Sequence, residues 1–210
     1  MPTELILIRH GQSHANVYPV VGGMRGDRGL TDTGRRQAEL LRRRLRTEQT
    51  TADVLYASTL PRAQETAAYV AEGLGLPIED DDELQELRVG EADGMSNEDW
   101  SVRWPGLGQS LTARPFQEFA PGGESWAAFL ARVGSALTSL ITRHQDQRIV
   151  AVTHGGVINA SFALGFGTGP TAARVRINPE NTSLNCWHHH AGPEQPHWEL
   201  VRFNDADHLR

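Results

Sequence analysis

The chain has 210 residues, 39% of them apolar and 22% charged, which suits one large α/β domain or two small ones. Its formal charge of −6 argues against a general nucleic-acid or anionic-membrane binder. All 20 basic residues are arginine, and the absence of lysine excludes Schiff-base chemistry and a Walker-type phosphate loop.

The first predicted element is Leu5-Ile6-Leu7-Ile8, an unbroken apolar run that reads as a buried parallel strand. It delivers Arg9-His10-Gly11 to the carboxyl end of that strand, where open α/β sheets bind their ligands. Arginine offers a planar fork for phosphate oxygens, and imidazole can act as base, nucleophile or donor. Gln12 to Asn16 continue as a polar, small-residue segment. The glycine-dense stretch Gly22 to Gly29 is a loop, either a wall of an anion pocket or a plain surface turn. A helix is predicted from Thr31 or Asp32, as N-cap, to about Arg46. Its apolar stripe is Ala38, Leu41 and Leu45, and its many arginines read as a solvated face.

Asp53 to Ser58 is the next strand, and Pro61 starts a helix that Gly73 and Gly75 end. Arg62 sits in its first turn, where free amides attract anions; alone it reads equally as a surface residue. Glu79 to Gly90 is the most acidic stretch, and composition cannot choose among Asp82, Glu83 and Glu86 for a chemical role. Residues 96–121 hold Trp100, Trp104, Phe116 and Phe119 among helix breakers. They read as a short helix and lid, or as aromatics pinning a long connection. A long helix follows to about His144, with Phe129, Leu130, Val133, Leu137, Leu140 and Ile141 at helical spacing. Arg132 lies near that face and is expected to support the site through an ion pair.

Ile149 to Val152 then repeat the opening design: an apolar strand, His154, and Gly155-Gly156 leading into a helix from Val157 to Leu164. Further strands are predicted near Arg174–Ile177, Ser183–His188 and Trp198–Phe203. His188-His189-His190 are adjacent, and three neighbours on a strand cannot all face one ion, so no metal is implied. No linker divides the chain, so residues 1–210 read as one domain. No run approaches the ~20 apolar residues that span a bilayer. The first strand begins too early to follow a secretory leader, and Cys186 has no partner for a disulfide, so a cytoplasmic location is expected.

The strand-end Arg9-His10-Gly11 and His154-Gly155, together with Arg62 in Ser58 to Ala67, resemble the histidine phosphatase superfamily, the phosphoglycerate mutase-like group. The resemblance runs from Leu5 to about Leu209. It implies a single three-layer α/β/α domain, with a mostly parallel central sheet, helices on both faces and a small lid insertion at about 96–121. It also implies that His10 attacks phosphorus, that Arg9, Arg62 and His154 stabilise the phosphoryl oxygens, and that Glu86 protonates the leaving oxygen. Asn16, Ser13, Gly23 and Gly155 are the expected substrate-binding set. The chain departs from the family in having one extra residue between Gly23 and Asp27, and Ala92-Asp93 where an aromatic-acidic pair is frequent.

The activity implied is metal-independent hydrolysis of a small organic phosphate through a phosphohistidine, with no cofactor. The rival is a cofactor-dependent phosphoglycerate mutase. Mutases of the group carry a longer insertion with lysine and paired arginines, whereas this one has only Arg103 and Arg114. An inactive binding module is the lesser alternative, and retention of His10, Arg62, Glu86 and His154 argues against it. The partner expected is a small-molecule phosphate ester, not nucleic acid or membrane, and a homodimer is left open.

Overall fold

An apolar strand without alternation needs cover on both sides, and the first strand receives it. The computed structural model describes residues 1–107, 113–170, 177–192 and 196–210. In chain order the elements are β1 (Thr3–Arg9), α1 (His14–Val17), α2 (Asp32–Thr47), β2 (Val54–Ala57), α3 (Pro61–Leu74) and β3 (Ile78–Asp80). They continue with α4 (Asn97–Arg103), α5 (Trp126–Arg143), β4 (Arg148–Thr153), α6 (Gly155–Gly165), β5 (Leu184–His190) and β6 (His197–Asp205). The result is one α/β domain around a mixed six-stranded sheet in the order β3-β2-β4-β1-β5-β6. β1 to β4 run parallel; β5 and β6 are antiparallel.

Alternate residues of β1 divide between two cores. Leu5 and Leu7 pack with Phe129, Val133, Leu137 and Leu140 of α5 and with Val157 and Ile158 of α6. Ile6 and Ile8 pack on the other face with Leu41 and Leu45 of α2 and with Ala63, Ala67 and Val70 of α3. The predicted stripes of α2 and α5 are thus their buried faces. Fully buried leucines of this kind make truncation costly, ~2–5 kcal/mol for a change such as Leu137→Ala.

The termini follow local chemistry. Thr31, not Asp32, caps α2, its hydroxyl accepting the Gly34 N–H at 3.1 Å. Pro61 opens α3, and Gly75 ends it with a left-handed φ of 70°. Ser125 caps α5, accepting from the Ala128 N–H.

Two expectations change. Ile78–Asp80 form an exposed-edge strand, β3, inside the stretch read only as acidic. Arg44 is not part of a solvated face: it forks onto Asp205 of β6 with two 2.7 Å hydrogen bonds, while Arg42 and Arg43 pair with Glu39. In the 96–121 connection, Trp100 stacks on Phe119 at 4.6 Å over a small core of Val21, Ala92 and Ala120. There the aromatics pin the connection down; Phe116 is exposed. The predicted strand near Arg174–Ile177 lies outside the described residues except for Ile177. Among the described residues no helix is long and apolar enough to cross a membrane.

Candidate active site

The topology brings the two strand-end histidines together. β1 and β4 are adjacent and parallel, with Arg9 opposite Thr153, and the His10 N–H donates to the Thr153 carbonyl at 2.9 Å. From this pair the chain departs toward opposite faces, into α2 from β1 and into α6 from β4. Such a switch point leaves a crevice beyond the strands' carboxyl ends. The His10 and His154 rings lie 5.1 Å apart there, both buried.

Hydrogen bonding fixes how His10 is presented. Its Nδ1 lies 2.7 Å from the Gly11 carbonyl, which can only accept, so Nδ1 carries the proton. Nε2 is left with its lone pair and accepts from Arg62 Nε at 3.2 Å. Burial, with Arg62 and Arg9 nearby, holds His10 well below the usual imidazole pKa. His154 is depressed the same way, by burial first and then by Arg62, His10 and Arg9. Its Nε2 lies 2.7 Å from the Ser58 hydroxyl, and its Nδ1 has no partner among the described residues. If Ser58 donates to Nε2, the Nδ1–H of His154 is a buried donor open to a ligand.

Two arginines frame the histidines. Arg62, in the first turn of α3, bonds Asp27 Oδ2 through Nη1 at 2.7 Å and the Gly22 carbonyl at 3.3 Å. The Asp27 side chain is fully buried, so this is a desolvated ion pair that aims the guanidinium at His10. Arg9 donates from Nη1 to the Pro179 carbonyl at 2.5 Å, while its buried Nε has no partner among the described residues. Burial lowers its pKa from the usual arginine value, with nearby Glu86 opposing that shift and Arg62 adding to it. The site is a cluster of cations and neutral donors, suited to an oxyanion.

Glu86 stands across the crevice. Its Oε2 accepts the Gly156 N–H at the start of α6 at 2.9 Å, and Oε1 accepts from the Leu87 N–H. A side chain at position 156 would collide with this carboxylate. Arg132 of α5 bonds the carbonyls of Glu83, Gln85 and Glu86 and forks onto Glu124 at 2.7 Å, so the expected ion pair holds the backbone that carries Glu86.

The substrate-binding set is placed unevenly. Ser13 is buried, and its hydroxyl has no hydrogen-bond partner among the described residues. Asn16 Oδ1 accepts the Ser13 N–H at 3.0 Å, and Gly155 lies against the Arg9 guanidinium. The Gly23 N–H is occupied: it donates to Asp93 Oδ1, which also accepts from Gly26, while Oδ2 accepts from Arg25. Asp93 therefore shapes the 22–29 loop, which carries Asp27 to Arg62. A cavity of about 360 Å³ lies between α1 and this loop, lined by His14, Tyr18, Arg25 and Arg28 among others.

Sequence reasoning missed Asp27, Ser58 and residues 179–182. Thr66 accepts the Gly11 N–H, and the Asn181 carboxamide donates to the His10 carbonyl at 2.9 Å. Thr182, β-branched, buried and at φ 60°, donates its N–H to the Arg9 carbonyl. A left-handed threonine costs on the order of 1–3 kcal/mol, a cost carried where it positions Arg9 and His10. Only the Asp27 spacing after Gly23 offered a signal; the others are loop residues without a pattern.

Residues 5–206 match the histidine phosphatase superfamily (branch 1). The chain is 32% identical to phosphoglycerate mutase-like protein 4 of Arabidopsis thaliana, over 98% of this chain and 86% of that protein. It is 34% identical to the 2,3-bisphosphoglycerate-dependent phosphoglycerate mutase of Methylobacterium sp. (strain 4-46), over 76% of this chain and 79% of that one. Among solved structures it is similar to the mycobacterial glucosyl-3-phosphoglycerate phosphatase in complex with VO3 (TM-score 0.81, 26% identity, 97% and 99% of the two chains). It is also similar to Bacillus stearothermophilus YhfR (TM-score 0.82, 27% identity, 99% and 100%). The chain belongs to the histidine phosphatase superfamily.

Proposed function

We propose that this member of the superfamily is a phosphomonoesterase that hydrolyses a small organic phosphate through phosphorylated His10, without a metal at the reacting centre. The observation that carries the reading is the buried, neutral His10 with Nδ1–H on Gly11 and the Nε2 lone pair directed toward Arg62. Nε2 attacks phosphorus in line as the ester P–O bond breaks. Arg9, Arg62 and His154 meet the charge on the three non-bridging oxygens, and Ser13, Asn16 and the Gly155 amide are the further donors. Preorganised positive charge and positioning are most of what phosphoryl transfer needs.

Glu86 gives its proton to the departing alkoxide, then takes one from the water that attacks the phosphohistidine. Free phosphate and neutral His10 result, so protons balance over the cycle. The donor set supports the metal-free reading: the reacting centre carries two guanidiniums, which repel a cation.

The second reading, a phosphoglycerate mutase, is favoured by the 34% identity to the Methylobacterium mutase. Against it, the two arginines of the 96–121 connection are engaged elsewhere. Arg103 pairs with Glu91 and lies over the Trp104 ring; Arg114 donates to the Gly106 carbonyl. With no paired cations there to retain a phosphoglycerate carboxylate, water is the acceptor. Given 3-phosphoglycerate with catalytic 2,3-bisphosphoglycerate, the protein should release inorganic phosphate and form little 2-phosphoglycerate. Isomer exchange outpacing phosphate release about tenfold, ~1.4 kcal/mol in relative barrier, would make it a mutase.

A further inference from the structure

A second histidine cluster lies at the other end of the sheet. His188 and His190 are two apart on β5, so their side chains share one face, while His189 points to the opposite face, 5.1 Å from Trp198. Across the antiparallel ladder His188 pairs with Glu199 of β6. Glu199 Oε2 lies 3.2 Å from His190 Nε2 and 3.7 Å from His188 Nδ1. Ligand atoms of all three residues lie within 4.8 Å of one another. Adjacent histidines cannot share an ion, but alternate ones with a cross-strand carboxylate can.

The surroundings of His188 add an independent observation. Its other nitrogen, Nε2, lies 3.4 Å from Glu4 Oε1, and Glu4 is its partner in the ladder with β1. Glu4 is fixed in turn by Arg148, whose guanidinium also bonds Thr51. A carboxylate on the distal ring nitrogen sets the tautomer and orientation of a metal-binding histidine and raises its basicity. Here it directs the lone pair of Nδ1 toward Glu199. The three side chains are half-buried or exposed at the sheet's edge, open to solvent on one side.

We infer that His188 Nδ1, His190 Nε2 and Glu199 form a site for one divalent d-block cation, with Zn2+ as the reference ion. Two imidazoles and a carboxylate suit zinc, at metal–ligand distances of ~2.0–2.2 Å with water as fourth ligand. Tetrahedral ligands at that distance stand ~3.4 Å apart, so side-chain adjustments of about an ångström close the site. The ion ties edge strand β6 to β5. It stands remote from the chemistry, since Glu4 and His10 are six residues apart along β1, ~20 Å at strand rise.

The test is calorimetric titration of the EDTA-stripped full chain with Zn2+, with Co2+ as a spectroscopic probe of four-coordination. One equivalent should bind and raise the thermal midpoint. His190→Gln and Glu199→Gln, surface changes of similar shape, should each weaken binding at least about tenfold, and Glu4→Gln by about tenfold through His188. His10→Ala should bind as the wild type does. Aryl phosphate turnover should be the same with and without zinc at this site. Absence of saturable binding would overturn the inference and leave an ion-pair cluster. Stoichiometric binding that survives both substitutions, or that is lost in His10→Ala, would overturn it by placing the ion elsewhere.

Discussion

The molecule holds two histidine clusters, and their neighbours give them opposite chemistry. At the carboxyl ends of β1 and β4, His10 and His154 are buried among Arg9 and Arg62, with the nearest carboxylates turned to arginine or backbone. At the β5–β6 pair, His188 and His190 sit beside Glu199 and Glu4 near the surface. The first setting disfavours a cation, keeps imidazole neutral and invites an oxyanion. The second supplies negative charge and oriented lone pairs. Residue type alone does not distinguish these outcomes; the sign and burial of the surrounding charges do.

The sharpest way to break that comparison is to exchange the roles. His10→Ala should abolish turnover and the acid-labile phosphoenzyme together, a loss of about 10⁴-fold or more. His188→Gln should leave both intact. Retention of phosphoenzyme in His10→Ala, read by acid-quench labelling, would show that another group is the nucleophile.

A smaller effect is expected at the arginine that faces the nucleophile. Arg62→Ala removes a preorganised donor and should lower kcat about 10²–10³-fold. It also leaves Asp27 buried without its partner, so part of any stability loss belongs to that carboxylate. Asp27→Asn keeps a side chain of the same shape and should lower kcat less, through a misaimed Arg62. Equal losses in both variants, in phosphate-release assays on one ester, would mean that aim matters as much as charge.

The order of these effects reflects what the sequence made legible. Strand-end histidines at Leu5–His10 and Ile149–His154 are visible because buried strands write continuous apolar runs, and two such runs must lie centrally in one sheet. The stripes of α2 and α5 are visible because a packed helix repeats every 3.6 residues. Ser58 and Asn181 were not legible: each meets its histidine through one hydrogen bond from a loop or strand end, and a single contact leaves no period. Asp27, which holds Arg62 and the Gly29 N–H, left only its spacing after Gly23 as a signal. Thr182 was hidden for the opposite reason, since a β-branched residue is the last expected at positive φ. In the His188–His190 tract, adjacency alone does not show the alternation that separates His189 from its neighbours.

Leaving-group chemistry comes next in size. Glu86→Gln should slow alkyl phosphates about 10²-fold and aryl phosphates under about tenfold, because good leaving groups need less protonation. Gly156→Ala offers the same test with the carboxyl group chemically unchanged, since the added methyl displaces Glu86 from the α6 amide. Its alkyl-to-aryl ratio should move in the same direction. If both ester types slow equally in either variant, Glu86 acts on something other than the leaving oxygen.

The smallest effect is on stability against acid. The unfolded chain titrates its histidines near 6.5, whereas burial and the two arginines hold His10 and His154 well below that value in the fold. Below pH ~6.5 the unfolded state therefore binds more protons, and stability falls with pH until the depressed folded-state values are reached. His208, pushed down to about 4 by burial, adds to the same slope. Each such histidine contributes up to ~1.4 kcal/mol per pH unit, tenfold in the unfolding constant. Denaturant titrations at pH 6 and 5 should show wild-type stability falling over that unit. His154→Gln, which takes one of these groups out while keeping a polar atom for Ser58, should fall less by about that amount. An unchanged slope in His154→Gln would mean that His154 is protonated in the fold, and the neutral, anion-accepting pocket would be lost with it.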